Sequence, residues 1–379
     1  MSKYLKSEYL LLLFLIVNMT AENIMFASIS KIIFYVVLAL SVPICMTNSR
    51  TIKKGFKSCP YMFWWILIYI IYQFTVGLKY ATTENLVYLV AKIATFCVML
   101  LSIGKNYRFY FENISKPMGY LIVFLLIIGF NILGINSESR AFGFYNGNAG
   151  CAIATIGMAS FLFKEGKYSK VEIICLLFCA MCVLLGSSRN SLAMMGILII
   201  LRYGASPKLI LAGIIGLLAI VFVLPEFGSE VSSVNRMIGT LEGNISIDRD
   251  DQREAALWMI EQHPWDGNGF NFANYGYALS LTELGAHNGY LNMLEQMGYG
   301  FGGLWLGILT LGVVKNLKLY KESNIYVRKY LGIMLAILFG ANQESYLSGV
   351  NQFTTNMLYV SMVILWMYIY NKKTGKITA

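Results

Sequence analysis

The residues best equipped for chemistry lie between Pro225 and His287, where the long apolar runs stop for about 60 residues. This stretch carries Glu226, Glu230, Glu242, Asp248, Asp250, Asp251, Glu254, Glu261, Asp266 and Glu283, half of the 20 acids in the chain. It also carries Arg236, Arg249 and Arg253, no lysine, and both histidines, His263 and His287. An imidazole titrates near neutrality, so His287 can act as a general base or, when charged, as a ligand for phosphate. A guanidinium presents forked donors that match phosphate oxygens. Asp248, Asp250 and Asp251 would suit a divalent cation, but capping and the helix dipole already account for acids at a helix start.

The run from Asp248 to Arg253 opens a helix reaching to about Gln262, which His263-Pro264 then ends. Ala255, Ala256, Met259 and Ile260 give that helix an apolar side, so it should lie on the rest of the protein. Trp265-Asp266-Gly267-Asn268-Gly269-Phe270 reads as a glycine-rich turn with exposed rings. Its aromatic and amide residues, with Asn271, Phe272, Asn274, Tyr275 and Tyr277, suit the apolar faces and hydroxyl rims of sugars. An interfacial aromatic belt explains them equally well. His287 opens a long apolar run with Glu295, Gly298, Gly300, Gly302, Gly303 and Gly307, the glycines spaced for close helix packing. Glu295 falls on nearly the same helical face as His287 and about 12 Å deeper. It is either a functional carboxylate or a buried hydrogen-bonding group.

What positions these residues is a membrane scaffold. Hydrophobic residues make up 57% of the chain and charged residues 13%, far from the mix of a soluble domain. Apolar runs recur at roughly 8–24, 28–47, 60–78, 85–103, 118–135, 147–163, 171–187, 190–203, 208–225, 288–314, 329–347 and 353–370. They predict an all-α polytopic membrane protein of about 12 transmembrane helices. It is one integral domain over 1–379, with a single large external loop at 226–287. The net charge of +10 does not mark a nucleic-acid partner, because 22 of the 30 lysines and arginines fall in short loops on one side of this arrangement. The positive-inside rule makes that side, and both termini, cytoplasmic. The first apolar run has no good small-residue cleavage site behind it and reads as a retained helix. Cys175, Cys179 and Cys182 share one helical face as small packing residues, with no histidine beside them to complete a metal pattern.

A few basic residues defy the charge bias, among them Arg140, ahead of Tyr145-Asn146-Gly147-Asn148, and Arg189. The span after Arg189 would cover roughly 20 Å of a hydrocarbon core of roughly 30 Å. Arg189 would then sit below the outer surface, where charge is tolerated beside a water-filled cavity or a partner. Snorkelling at a helix end is the alternative.

Three segments, taken together, resemble a known family. They are Ser187-Ser188-Arg189-Asn190-Ser191, the stretch Arg253…Trp258…His263-Pro264-Trp265-Asp266-Gly267-Asn268-Gly269-Phe270, and Ala286-His287-Asn288-Gly289-Tyr290-Leu291 with Glu295 and Gly298. In that order, with the long loop between them, they are similar to the O-antigen polymerase and ligase superfamily of bacterial membrane proteins, over roughly residues 140–300. The resemblance implies a membrane-embedded glycosyltransferase of the C type, inverting, metal-independent and without a cofactor. Its donor would be a glycan on undecaprenyl diphosphate and its acceptor a sugar hydroxyl, at the outer face of the bacterial cytoplasmic membrane. It carries catalytic roles onto Arg189, Arg253 and His287. Arg140, Arg249, Trp265, Asn288, Tyr290 and Glu295 stand beside them as substrate-binding candidates. The paired arginine-rich loops of some polymerases have no counterpart here. Membrane lipid, a chain-length regulator and a flippase are the further partners it implies.

Polymerisation of repeat units for O antigen, capsule or exopolysaccharide is the leading expectation. Ligation of finished glycan to a lipid A core or another terminal acceptor is the nearest alternative. A transporter would show internal repeats and several intramembrane charges, and neither stands out. Because a diphosphate calls for more than one cation, Arg189, Arg253 and His287 are expected to converge on one cavity near the outer surface.

Overall fold

The computed structural model describes residues 6–80, 82–133, 142–186, 188–208, 211, 247–270, 287–350 and 352–375. These residues are predominantly helical, with no strand beyond an isolated bridge between Asn23 and Phe144. Helices α1 (Leu10–Ala21) and α2 (Ala27–Thr47) form a hairpin, followed by the short basic α3 (Ser49–Ser58), then α4 (Pro60–Phe74) and α5 (Thr83–Lys105). Next come α6 (Ser115–Leu133), α7 (Gly147–Leu162), α8 (Lys170–Leu185) and α9 (Arg189–Tyr203). Beyond them lie α10 (Ile247–Gln262), α11 (Gly289–Met297), α12 (Gly303–Leu317), α13 (Ile325–Gly340) and α14 (Phe353–Lys373).

Among the described residues, four stretches are long and apolar enough to cross a membrane: Ala27–Thr47, Thr83–Lys105, Gly289–Leu317 and Phe353–Lys373. Shorter apolar helices include α4 and α7. The protein is an all-α membrane protein. The apolar run at 208–225 lies almost wholly outside the described residues, as does most of the 226–287 loop other than 247–270.

Basic residues gather at one end of the helices. Lys105, closing α5, donates to Asn48 Oδ1 at the end of α2, and Arg202, near the end of α9, donates to the Leu162 carbonyl ending α7. Lys116 and Lys164 both pair with Glu172 in the first turn of α8. At the opposite end the turn after α1 meets the segment ahead of α7 through the Asn23–Phe144 bridge, the segment after α4 meets the turn after α10 through Lys79 and Asp266, and the loop after α13 meets the start of α7 through Glu344 and Asn148.

Two elements depart from the sequence reading. The run at 329–347 is not one helix, because α13 stops at Gly340 and residues 341–350 fold back as a loop. Asn342, Gln343, Glu344 and Ser345 interrupt the apolar run there. The run at 288–314 is broken at Gly298 (φ +65°) by a π-helical turn, Gly298–Gly302. Its cause is backbone packing. A Cβ on Gly298 would lie 2.5 Å from the Trp265 carbonyl carbon, and one on Gly267 (φ +67°) 2.4 Å from the Gln296 oxygen. With both glycines present, the turn after α10 lies directly on the break. There Asn268 N donates to Glu295 O (2.9 Å), Gly269 N to Gln296 O (3.0 Å) and Tyr299 N to Pro264 O (2.6 Å). Gly303 and Gly307 face open space instead, so packing within the chain does not account for them.

Helix α10 packs as its pattern requires. Gln252, Ala255, Ala256, Met259 and Ile260 are buried, while Arg253, Glu254 and Glu261 are exposed, and the buried side rests on α11. The rings of the following turn divide. Trp265 is 72% exposed, whereas Phe270, expected outside, is buried and stacked on Tyr88 at 5.3 Å with Tyr69 and Tyr72 edge-on. An apolar ring next to three others in the helix bundle gains more from burial than from solvent.

Candidate functional site

Helices α7, α9 and α11 all start at the end away from the lysines, each with a side-chain cap. Asn146 accepts from Asn148 N (2.8 Å), Ser188 from Ser191 N (3.3 Å) and Asn288 from Tyr290 N and Leu291 N (both 3.0 Å). Each start places the positive end of a helix dipole in this region. Helix α13 ends among them. Asn190 Nδ2 donates to Gly340 O (2.9 Å), Gly289 N to Ala341 O (2.7 Å), Asn288 Nδ2 to Asn342 O (3.1 Å) and Tyr290 Oη to Leu338 O (2.8 Å). These bonds tie the starts of α9 and α11 to one helix end. Arg189, adjacent to Asn190, and His287, two residues before Gly289, are thereby brought to the same corner.

The corner holds a polar relay. His287 Nδ1 lies 3.2 Å from Glu344 Oε2, and Glu344 Oε1 accepts from Asn148 Nδ2 at 2.6 Å. A carboxylate only accepts, so the pair sets the imidazole proton on Nδ1 and leaves Nε2 with its lone pair. The His287 side chain is 26% exposed and that of Glu344 5%. The ring is therefore reachable while the carboxylate stands behind it. Glu344 and Asn148 were not among the residues singled out from sequence. Glu344 lies inside the apolar run at 329–347, where four consecutive polar residues, Asn342 to Ser345, mark the break.

The loop bearing Glu344 is anchored from within the bundle. Lys92, buried midway along α5, donates from Nζ to Ser348 O (2.9 Å) and Gly349 O (2.8 Å). The rings of Tyr88, Phe96 and Tyr359 surround it, the nearest centroid at 5.3 Å. Tyr88 Oη also donates to Ser348 O, Tyr359 Oη to Leu347 O (2.6 Å) and Asn356 Nδ2 to Val350 O (3.1 Å). A lone lysine inside an apolar span thus has a structural partner.

The remaining site residues are placed less uniformly. Arg189 and Arg253 are exposed and make no ion pair among the described residues. Arg253 rides on the exposed side of α10. Arg140 lies outside the described residues, and for Arg249 only the helical backbone is described. The polar atoms of Asn288 and Tyr290 are used in the bonds above. Glu295 is buried under the turn after α10, its carbonyl accepting from both Asn268 N (2.9 Å) and Asn268 Nδ2 (3.1 Å). No group of three metal-ligating side chains occurs among the described residues.

Two carboxyls at this end have shifted acidity. Burial pushes Asp266 up, but pairing with Lys79 and the neighbouring His263 outweigh it and hold the group below the usual range. The Lys79 pair ties the segment after α4 to the turn after α10. Glu22, between α1 and α2, is pushed from 4.5 to about 7 by burial, with the Phe353 amide pulling it back down. Its Oε1 accepts from Phe353 N at 2.6 Å and so caps α14.

Comparison with protein families matches residues 174–306 to the family described as O-antigen ligase. Arg189, Arg253, Trp265, His287, Asn288, Tyr290 and Glu295 fall inside that segment, whereas Asn148 and Glu344 lie outside it. No curated protein matches the chain.

Proposed function

We propose that this chain, whose residues 174–306 match the family described as O-antigen ligase, transfers a glycan from undecaprenyl diphosphate to a sugar hydroxyl with inversion, using His287 as general base. The observation that carries this reading is the His287–Glu344–Asn148 relay. His287 Nε2 takes the proton of the acceptor hydroxyl as its oxygen attacks the anomeric carbon. The bond from that carbon to the phosphate oxygen breaks, and its electron pair leaves with the lipid diphosphate. Glu344 stabilises the imidazolium formed in this step. Charge on the leaving group is met by Arg189, by the starts of α7, α9 and α11, and by Arg253 when α10 brings it over the corner. Trp265, exposed on the same outer region, offers a ring face to a sugar.

The reaction we favour is polymerisation of lipid-linked repeat units. Ligation is the second reading, favoured by the description of the matched family. Deleting the gene separates them. Loss of polymerase leaves single repeat units on their carrier or terminal acceptor, while loss of ligase leaves long chains on undecaprenyl diphosphate. Intact long chains on their final acceptor would refute both.

This reading places about 12 spans in the bacterial cytoplasmic membrane in a C-type architecture, with both termini cytoplasmic and 226–287 outside. Cysteines introduced at Ser246 and Ser323 test it with an impermeant reagent on intact cells. Labelling at Ser246 alone is expected, and labelling at Ser323 alone would invert the topology.

A further inference from the structure

The basic end of the bundle contains a second, unrelated feature. A cavity of about 790 Å³ opens between α3, α12 and α14, lined by Lys57, Lys315, Lys318, Lys372 and Lys373, with Leu319 and Ile369 as apolar wall. Among the described residues, two partners engage these lysines: Glu322, whose Oε1 takes a bond from Lys372 Nζ at 2.5 Å, and the ring of Tyr61, 5.4 Å from Lys315 Nζ. Topology requires basic residues at this end but not their convergence. Lys53, Lys54 and Lys167 satisfy the same rule from exposed positions that do not line the cavity.

Helix dipoles do not absorb the charge. Three helices end here, and each C-terminus contributes roughly half a negative charge. Five lysines against one carboxylate and three helix ends leave an excess of more than about two positive charges. Holding like charges together costs free energy unless an anion joins them. Basic pockets between helices with an apolar wall suit lipid headgroups at the membrane surface.

We propose that this cavity binds a phosphate group, supplied by an anionic lipid headgroup or by phosphate in solution. The proposal does not rest on the glycosyl-transfer reading, because the cavity lies at the opposite end from His287. The test uses the full chain in nanodiscs of mixed phosphatidylglycerol and phosphatidylcholine, with retained lipid counted by native mass spectrometry. The wild type should retain phosphatidylglycerol selectively. The triple variant Lys57→Gln, Lys318→Gln, Lys373→Gln should lose at least tenfold of that retention. The triple variant Lys53→Gln, Lys54→Gln, Lys167→Gln should keep it.

A second arm measures the melting temperature in neutral detergent with and without inorganic phosphate. Selective lipid retention supports a headgroup as the source. A phosphate-induced rise present in the wild type and absent in the cavity variant, without lipid retention, supports a soluble source. Equal loss of retention in both triple variants would reduce the effect to diffuse surface charge and overturn the proposal. So would the absence of both lipid selectivity and a phosphate-induced rise in the wild type. Circular dichroism on each variant separates these outcomes from misfolding.

Discussion

Lys92→Met tests whether the loop carrying Glu344 is held in place from inside the bundle. The wild-type amine makes two hydrogen bonds to loop carbonyls, Ser348 O and Gly349 O. Bonds from a charged donor contribute about 1.5–3 kcal/mol each, and the surrounding rings add about 0.5–2 kcal/mol. Ser348 O keeps a donor in Tyr88, so Gly349 O is the carbonyl left orphaned, at about 1–3 kcal/mol. Methionine recovers about 1.5–3 kcal/mol through its own burial and is spared the desolvation that the buried amine bears in the wild type, leaving a net loss of about 3 kcal/mol, or roughly a hundredfold in the population of a displaced loop. Hydrogen exchange across 344–350 should therefore accelerate by about that factor, and transfer should fall through kcat more than through KM for the donor. Lys92→Gln, which keeps donors but loses reach and charge, should lie between. Unchanged exchange at 344–350 together with wild-type transfer would refute the reasoning.

Gly267→Ala forces a Cβ to within 2.4 Å of Gln296 O at φ +67°. The cost of strain and overpacking, about 2–4 kcal/mol together, should make the 263–270 turn sensitive to proteolysis, while Gly303→Ala, facing open space, should change little. Glu22 binds its proton more tightly folded (about 7) than unfolded (4.5), so stability should fall as pH rises from about 4.5 to 7 and level off above. Glu22→Gln keeps an acceptor for Phe353 N and should flatten that profile; coincident melting curves for both proteins from pH 5 to 8 would contradict this. Arg189→Lys should lower transfer by about 10²-fold through loss of forked donors, without loss of protein from the membrane. A rate within twofold of wild type would remove Arg189 from the leaving-group site.

Much of this architecture was legible because apolar length and lysine placement report on one-dimensional physics. The runs around α2, α5 and α14 needed only hydropathy, and α10 needed only its alternation of Ala255, Ala256, Met259 and Ile260 with charged neighbours. The break at Gly298 was not legible as a break. Its cause is a backbone 31 residues away, at Gly267, and contact between two glycine backbones leaves no hydropathy signature. Of the site, His287 and Arg189 stood out by type and context. Glu344 did not, because the apolar residues of 329–341 outweigh the short polar run Asn342 to Ser345 in a span-length window, and its pairing with His287 is set by tertiary bonds to 340–342. Lys92 lies inside the apolar run at 85–103, but its partners are backbone carbonyls, which no sequence displays.

The central claim is that Glu344 acts through His287 to activate the acceptor. Single-turnover transfer from a defined lipid-diphosphate oligosaccharide, measured for wild type, His287→Ala, Glu344→Gln and the double variant, tests it most directly. Each single change should cost about 10²–10⁴-fold in rate, and the double variant should be no slower than His287→Ala, since removing the base removes what Glu344 orients. Losses that multiply in the double variant, or Glu344→Gln at the wild-type rate, would contradict the account.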